Sequence, residues 1–316
     1  CYNQPLPKSE RIPRMVAHLY AKMPEIESAR ARLLTESYRQ TEGEPIVLRH
    51  AKAFAHILEN IPIIIRPEEL IVGSSTLAPR GCQTFPEYSY EWLEAEFDTV
   101  ATRSAGPFFI AEQTKKELRE VDRYWKGKTT SELATAYMAP QARMAIYHAV
   151  FAPGNYFYSC ICHICVHYYT VLAIGYEGIL TDARTRRAAC HFGDADYAAR
   201  SAFLDAVILS CEAVIGYARR YAALAEKEAA ACADPARRAE LTLIAKNCRN
   251  VPARGAQNFY EACQSFWFVQ QLIQMESSGH SISPGRFDQY MNPYFQRDLA
   301  AGKITRAFAQ ELLDCI

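Results

Sequence analysis

The sequence predicts a mostly α-helical fold. Three observations carry this: apolar residues recur three and four apart over long windows, strict alternation is rare, and prolines stand where helices would open. Half of the 316 residues are hydrophobic, enough for one large core or two smaller ones.

Met23-Pro24 leads into a predicted helix from Glu25 to Tyr38, with Ile26, Ala29, Leu33 and Leu34 on one face. Glu44-Pro45 opens a second helix through Leu58, expected to pack on the first. Residues 61–74 make the best strand candidate. Two β-branched runs, Ile63-Ile64-Ile65 and Leu70-Ile71-Val72, flank a turn at Arg66-Pro67-Glu68, and Gly73 would close the second run. From Phe203 to Ala225 a stripe of Phe203, Val207, Cys211, Val214, Ala218 and Tyr221 predicts a long helix. Asp234-Pro235 supplies a cap and a first-turn proline for its partner, which runs to Cys248 and completes a helical hairpin. Asn258 to Met275 is apolar nearly all round, as in a helix buried inside a body larger than this chain. No internal repeat, low-complexity tract or Gly/Ser linker divides the chain, so residues 1–316 are expected to belong to one domain.

Composition excludes some functions. Thirty-five basic and 35 acidic residues leave no net charge to gather nucleic acid or an anionic membrane, so a small neutral substrate fits better. Residues 1–15 lack the pattern of a secretory signal and no apolar run is expected to span a membrane, which points to the cytoplasm. Eleven cysteines without a repeated spacing read as reduced thiols, not as a disulfide framework. The absence of an initiating Met, and an end at Ile316 inside an amphipathic run begun at Phe308, make both termini read as cut.

Two segments could carry chemistry. In residues 276–290, Ser283 followed by Pro284 predicts an N-cap and first helical residue, so Gly279 to Ile282 would deliver His280 and Ser281 just ahead of a helix N-terminus. Unpaired N–H groups there favour oxygen ligands and developing negative charge. In residues 155–169, an extended backbone would put Cys160 and Cys162 on one side and His163, Cys165 and His167 on the other. That splits any metal set in two. Cys162 and Cys165 come nearest to a zinc-knuckle pair, nothing repeats the spacing, and no metal is expected. A helical Cys/His metal-binding module over Cys160 to His167 is the alternative outside enzymes.

Six stretches then identify a relationship: Thr35-Glu36-Ser37-Tyr38, residues 56–62, residues 69–74, residues 127–134, residues 209–213, and Gly279-His280-Ser281-Ile282-Ser283-Pro284. Together they resemble the B12-independent glycerol and propanediol dehydratases, within the pyruvate formate-lyase-like glycyl radical enzymes. The resemblance runs from about Arg14 to Ile316. It implies the amino-terminal part of a ten-stranded α/β barrel wrapped in helices, in a longer protein whose catalytic cysteine loop and glycyl radical domain lie beyond Ile316. It also implies a glycyl radical installed by a radical S-adenosylmethionine iron-sulfur activating enzyme, a homodimer, and a location in the cytoplasm or a bacterial microcompartment. This chain by itself would be inactive.

The implied reaction turns glycerol or propane-1,2-diol into an aldehyde plus water. A substrate radical at the hydroxyl-bearing C1 loses the adjacent hydroxyl readily if the first hydroxyl gives up a proton and the second receives one. By position in the resemblance, His163 is the candidate proton donor to the leaving hydroxyl. His280, Ser281 and Asn155 are the candidate substrate-binding residues. Around His163 the chain departs from the family, which has a glycine-rich approach and an aspartate shortly after; here stand Cys160, Cys162, Cys165 and His167. Other glycyl radical lyases, of the choline trimethylamine-lyase or formate acetyltransferase-like type, are the alternative within the class.

Overall fold

A computed structural model describes residues 9–152, 158–159, 163–278 and 281–316, and the fold is mostly helical as the periodicity predicts. After α1 (Arg11–Tyr20) the first departure appears. The expected helix start at Glu25 is instead a short strand, β1 (Glu25–Glu27), which pairs in parallel with β2 (Gly81–Gln83) through Ile26 opposite Cys82. The Ile26 amide also donates to the Phe109 carbonyl at 2.9 Å, so the backbone is already committed there. Helix α2 starts at Ala29 (Ala29–Gln40) and packs on α3 (Ile46–Asn60) as expected.

Residues 61–74 form no strand, which corrects the second expectation. Ile61, Ile65, Leu70, Ile71 and Val72 are buried, but side chains, not a neighbouring strand, satisfy much of the backbone. The Val72 amide donates to Gln264 Oε1 at 2.9 Å, and Gln264 Nε2 donates to the Val72 carbonyl at 2.7 Å. Tyr260 and Trp267 donate to the carbonyls of Leu70 and Gly73. Buried peptide groups need partners of some kind, and here a helix supplies them.

Short α4 (Glu91–Glu94), a 3₁₀ turn (Val100–Thr102), α5 (Glu112–Trp125), α6 (Thr130–Tyr137) and α7 (Pro140–Tyr147) follow. Helix α8 (Tyr168–Ala188) is broken at Gly175, whose φ of 63° and close approach to the Ala253 carbonyl exclude a side chain. The predicted hairpin is present as α9 (Tyr197–Ala231) and α10 (Pro235–Asn250), with the Asp234 carboxylate accepting from the amides of Ala236 and Arg237. One stripe residue is misplaced: Phe203 is 58% exposed and Leu204 is buried, because a 3.6-residue repeat steps back from Val207 by three residues here. α9 is also long and apolar enough to cross a membrane, contrary to the expectation, although 56% of its most apolar window is buried inside the molecule.

Helix α11 (Phe259–Glu276) follows its Asn258 cap, and α12 (Phe287–Ala300) and α13 (Arg306–Asp314) close the chain. Much of α11 is covered within this chain, with Phe259, Phe266, Phe268, Leu272 and Met275 each 3% exposed or less, while Trp267 and Ile273 are only partly buried. One core cluster joins α2, α3, α5, α9 and α10; a second joins α8, α11, α12 and α13.

Candidate active site

Two loops reach the surface beside the second cluster, and the elements behind them explain how they are held. The first precedes α8, whose opening residue Tyr168 is 1% exposed, stacked on Tyr290 of α12 at 5.3 Å and packed against Phe266 of α11. That anchor fixes where residues 163–167 must lie. At the α8 terminus His167 Nδ1 lies 2.6 Å from the Thr170 hydroxyl, so one ring nitrogen serves the helix end.

The second loop leaves the C-terminus of α11, where carbonyls lack helical partners. Arg30, fully buried on the inner face of α2, donates from Nε to the Met275 carbonyl at 2.7 Å and from Nη2 to the Glu276 carbonyl at 3.0 Å. Its charge is answered by Glu87 at 2.7 Å and lies 3.8 Å above the Phe85 ring. A cation at a helix C-terminus also complements the helix dipole. Beside it His50 pairs with the Glu276 carboxylate, and that hydrogen bond raises the His50 pKa.

The loops then meet. The Ser283 amide donates to the Ile164 carbonyl at 2.9 Å, and Cys165 bridges Ser283 in parallel. Behind the bridge Tyr168 donates to Gln270 Oε1 at 2.6 Å, and Gln270 Nε2 donates to the Ile282 carbonyl at 3.4 Å. His163 and Ser281 each stand two residues ahead of a bridged residue. They have φ of 60° and 59°, and are two of only four non-glycine residues with positive φ among those described. Such conformations cost roughly 1–3 kcal/mol each and gather at functional sites. Both residues are exposed.

The structure therefore brings together the segments of His163 and Ser281. His280 and Asn155, with Cys160 and Cys162, lie outside the described residues. The expected N-cap at Ser283 is corrected: α12 begins at Phe287, and Ser283 Oγ accepts the Gly285 amide at 3.0 Å in a local turn. Gly285, at φ 66°, cannot continue a helix from Pro284, and a Cβ there would stand 2.6 Å from Cys165 Sγ. Cys165 is thus packed against the Ser283 turn, and no group of three metal-ligating side chains forms among the described residues.

Sequence reasoning missed Arg30, Tyr168 and Gln270. Arg30 had a signal, a cation on the same helical face as Leu33, Leu34 and Tyr38; the other two had none. A cleft of about 730 Å³ lies elsewhere, at the N-terminal end of α11. Eighteen residues of helix, about 27 Å at 1.5 Å per residue, separate the two ends.

Comparison with known proteins follows the same outline. The family described as pyruvate formate lyase-like matches residues 7–316. A solved structure described as 1,2-propanediol dehydration in Roseburia inulinivorans is 63% identical with a TM-score of 0.96, covering 99% of this chain and 37% of that one. The B12-independent glycerol dehydratase from Clostridium butyricum is 48% identical with a TM-score of 0.94, covering 99% and 40%. Isethionate sulfite-lyase from Desulfovibrio desulfuricans is 35% identical over 97% of this chain, which spans 38% of that relative's length.

Proposed function

The chain belongs to the pyruvate formate lyase-like family, and from that premise we propose that it forms the amino-terminal portion of a glycyl radical diol dehydratase acting on glycerol or propane-1,2-diol. The observation that carries this reading is the parallel bridge between Cys165 and Ser283, which sets the His163 and Ser281 loops side by side. The likeness to the Roseburia inulinivorans propanediol structure supports the substrate class.

In this reading residues 1–316 are part of one domain, and the radical glycine, the hydrogen-abstracting cysteine and the glutamate base belong to the remaining length of the protein. The glycyl radical, once installed by the radical S-adenosylmethionine activating enzyme, supplies the capacity to remove a hydrogen atom from the diol. This chain's residues do the rest of the polar work. His163 gives a proton to the departing hydroxyl, while Ser281, with His280 and Asn155, holds the hydroxyls in line, a contribution of positioning. Strained backbone at His163 and Ser281 is what a site pays to aim two side chains from facing loops. The full-length protein would act as a homodimer, in the cytoplasm or a bacterial microcompartment.

The test uses the activated full-length protein. His163→Ala should lose turnover by about 10²–10⁴-fold, the usual worth of proton transfer, while spin quantitation shows the glycyl radical retained. Ser281→Ala should raise KM and lower kcat together, since a lost hydroxyl contact weakens binding and alignment. Variants that dehydrate both diols like the parent would sink the assignment, and turnover of choline or isethionate in place of diols would move it to another lyase of the same family.

A further inference from the structure

One buried aromatic residue reaches both loops of the candidate active site. Tyr168 continues the His163 loop into α8, and its amide donates to the Val166 carbonyl at 2.9 Å. Its ring is 1% exposed and lies between Phe266 of α11 and Tyr290 of α12. Its hydroxyl points toward the other loop, donating to Gln270 Oε1 at 2.6 Å, while Gln270 Nε2 donates to the Ile282 carbonyl, one residue past Ser281.

The three residues after Ser281 are tied to three separate parts of the fold. Gln270 of α11 holds the Ile282 carbonyl, the Ile164 carbonyl takes the Ser283 amide, and the Tyr290 hydroxyl of α12 donates to the Pro284 carbonyl at 2.7 Å. Ser281 itself has a φ of 59°, a conformation that persists in a non-glycine residue only when its neighbours over-determine it. Packing alone does not call for the first of these ties, because stacking on Tyr290 and Phe266 needs only the Tyr168 ring and a Phe would supply it. The hydroxyl is surplus to the core. Burial pushes its pKa up and keeps it a donor. The Ile282 carbonyl can only accept, so Gln270 must turn Nε2 to it and Oε1 away, and the Tyr168 hydroxyl is the donor that meets Oε1. Without that hydroxyl the amide has an oxygen short of a partner and nothing to hold its rotation.

The geometry points to Tyr168 and Gln270 as a pair of positioning residues: the hydroxyl fixes the amide, and the amide fixes the backbone that aims Ser281 at the substrate opposite His163. Tyr168 thus sets the separation of the two loops, holding one through its backbone and the other through its oxygen. Loss of that oxygen should loosen alignment and leave the fold in place.

Tyr168→Phe in the full-length protein removes one oxygen and keeps the stacked ring. After activation, with the glycyl radical quantified by spin, kcat/KM for propane-1,2-diol should fall about three- to tenfold, the range that one neutral hydrogen bond accounts for. Gln270→Leu should match it, and the double variant should lose no more than either alone, since the pair acts as one unit. In a Ser281→Ala background, removing the hydroxyl should cost about twofold or less. The full loss in both backgrounds would make Tyr168 merely structural and overturn the proposal. For these kinetics the assignment rests on the diol reading; amide exchange in the unactivated protein does not. There the Ser283 amide should exchange about three- to tenfold faster in Tyr168→Phe than in the parent. Unchanged exchange overturns the positioning role whatever the substrate is, whereas faster exchange in a protein whose parent turns over no diol supports that role and removes only the diol reading.

Discussion

At the scale of single residues, Arg30 shows how a buried charge can serve a distant loop. Its guanidinium is answered on every side, by Glu87, by three carbonyls and by the Phe85 ring, which is the condition for burying a charge without a large penalty. Two of those carbonyls end α11, immediately before the segment that carries Ser281. Arg30→Met would leave Glu87 unpaired and the helix end uncapped. The expected cost is about 3–5 kcal/mol of stability, the usual result of breaking one side of a buried pair, read from the denaturation midpoint. In the activated full-length protein the same variant should raise the KM for diol, because the Ser281 loop loses its anchor. A stability loss with unchanged KM would confine Arg30 to the fold.

At the scale of elements, the decisive contact joins α11 to residues 70–74. Gln264, 1% exposed, offers Val72 a donor and an acceptor in the manner of a neighbouring strand, and Tyr260 and Trp267 extend the pattern to Leu70 and Gly73. A helix thereby replaces the sheet partner that the β-branched composition called for. Gln264→Leu keeps the volume but orphans two buried backbone groups, each worth about 1–3 kcal/mol. Urea unfolding should register the loss, with faster amide exchange at Val72. Unchanged stability would mean that the segment finds other partners. The same scale explains the motif at Gly127 to Ala134: Thr129 and Glu132 form a reciprocal capping box at the start of α6, a structural duty for residues that first served as a family signature.

At the scale of the molecule, the apolar surface left uncovered is not where α11 suggested. α11 is largely covered by its own chain, whereas Leu133, Tyr137, Met144, Tyr147 and Val150 on and after α6 and α7 are between 54% and 86% exposed. Grouped exposed apolar residues promote association. The 316-residue chain should therefore unfold cooperatively through its packed clusters, yet self-associate. Tyr137→Ser combined with Tyr147→Ser should shift it toward monomer in light scattering and move the unfolding free energy by no more than about 0.5 kcal/mol per exposed site. Association unchanged by that pair would place the sticky surface elsewhere.

What the residues determined unaided were features that need only near neighbours. Helical periodicity, the Asp234-Pro235 start of α10 and the Asn258 start of α11 all appear as read, because a cap and an apolar stripe act within a turn or two of their own backbone. The short motifs likewise sufficed for the family. Tertiary structure decided what depends on partners distant in sequence. It turned Glu25 to Glu27 from helix to strand by offering them Gly81 to Gln83, and denied residues 61–74 a sheet by offering them Gln264. It also set the His163 loop beside the Ser281 loop through one hydrogen bond from the Ser283 amide to the Ile164 carbonyl. No pattern within either loop specifies that contact, because a hydrogen bond between distant segments exists only once α8, α11 and α12 have packed around Tyr168 and brought the two chains within reach.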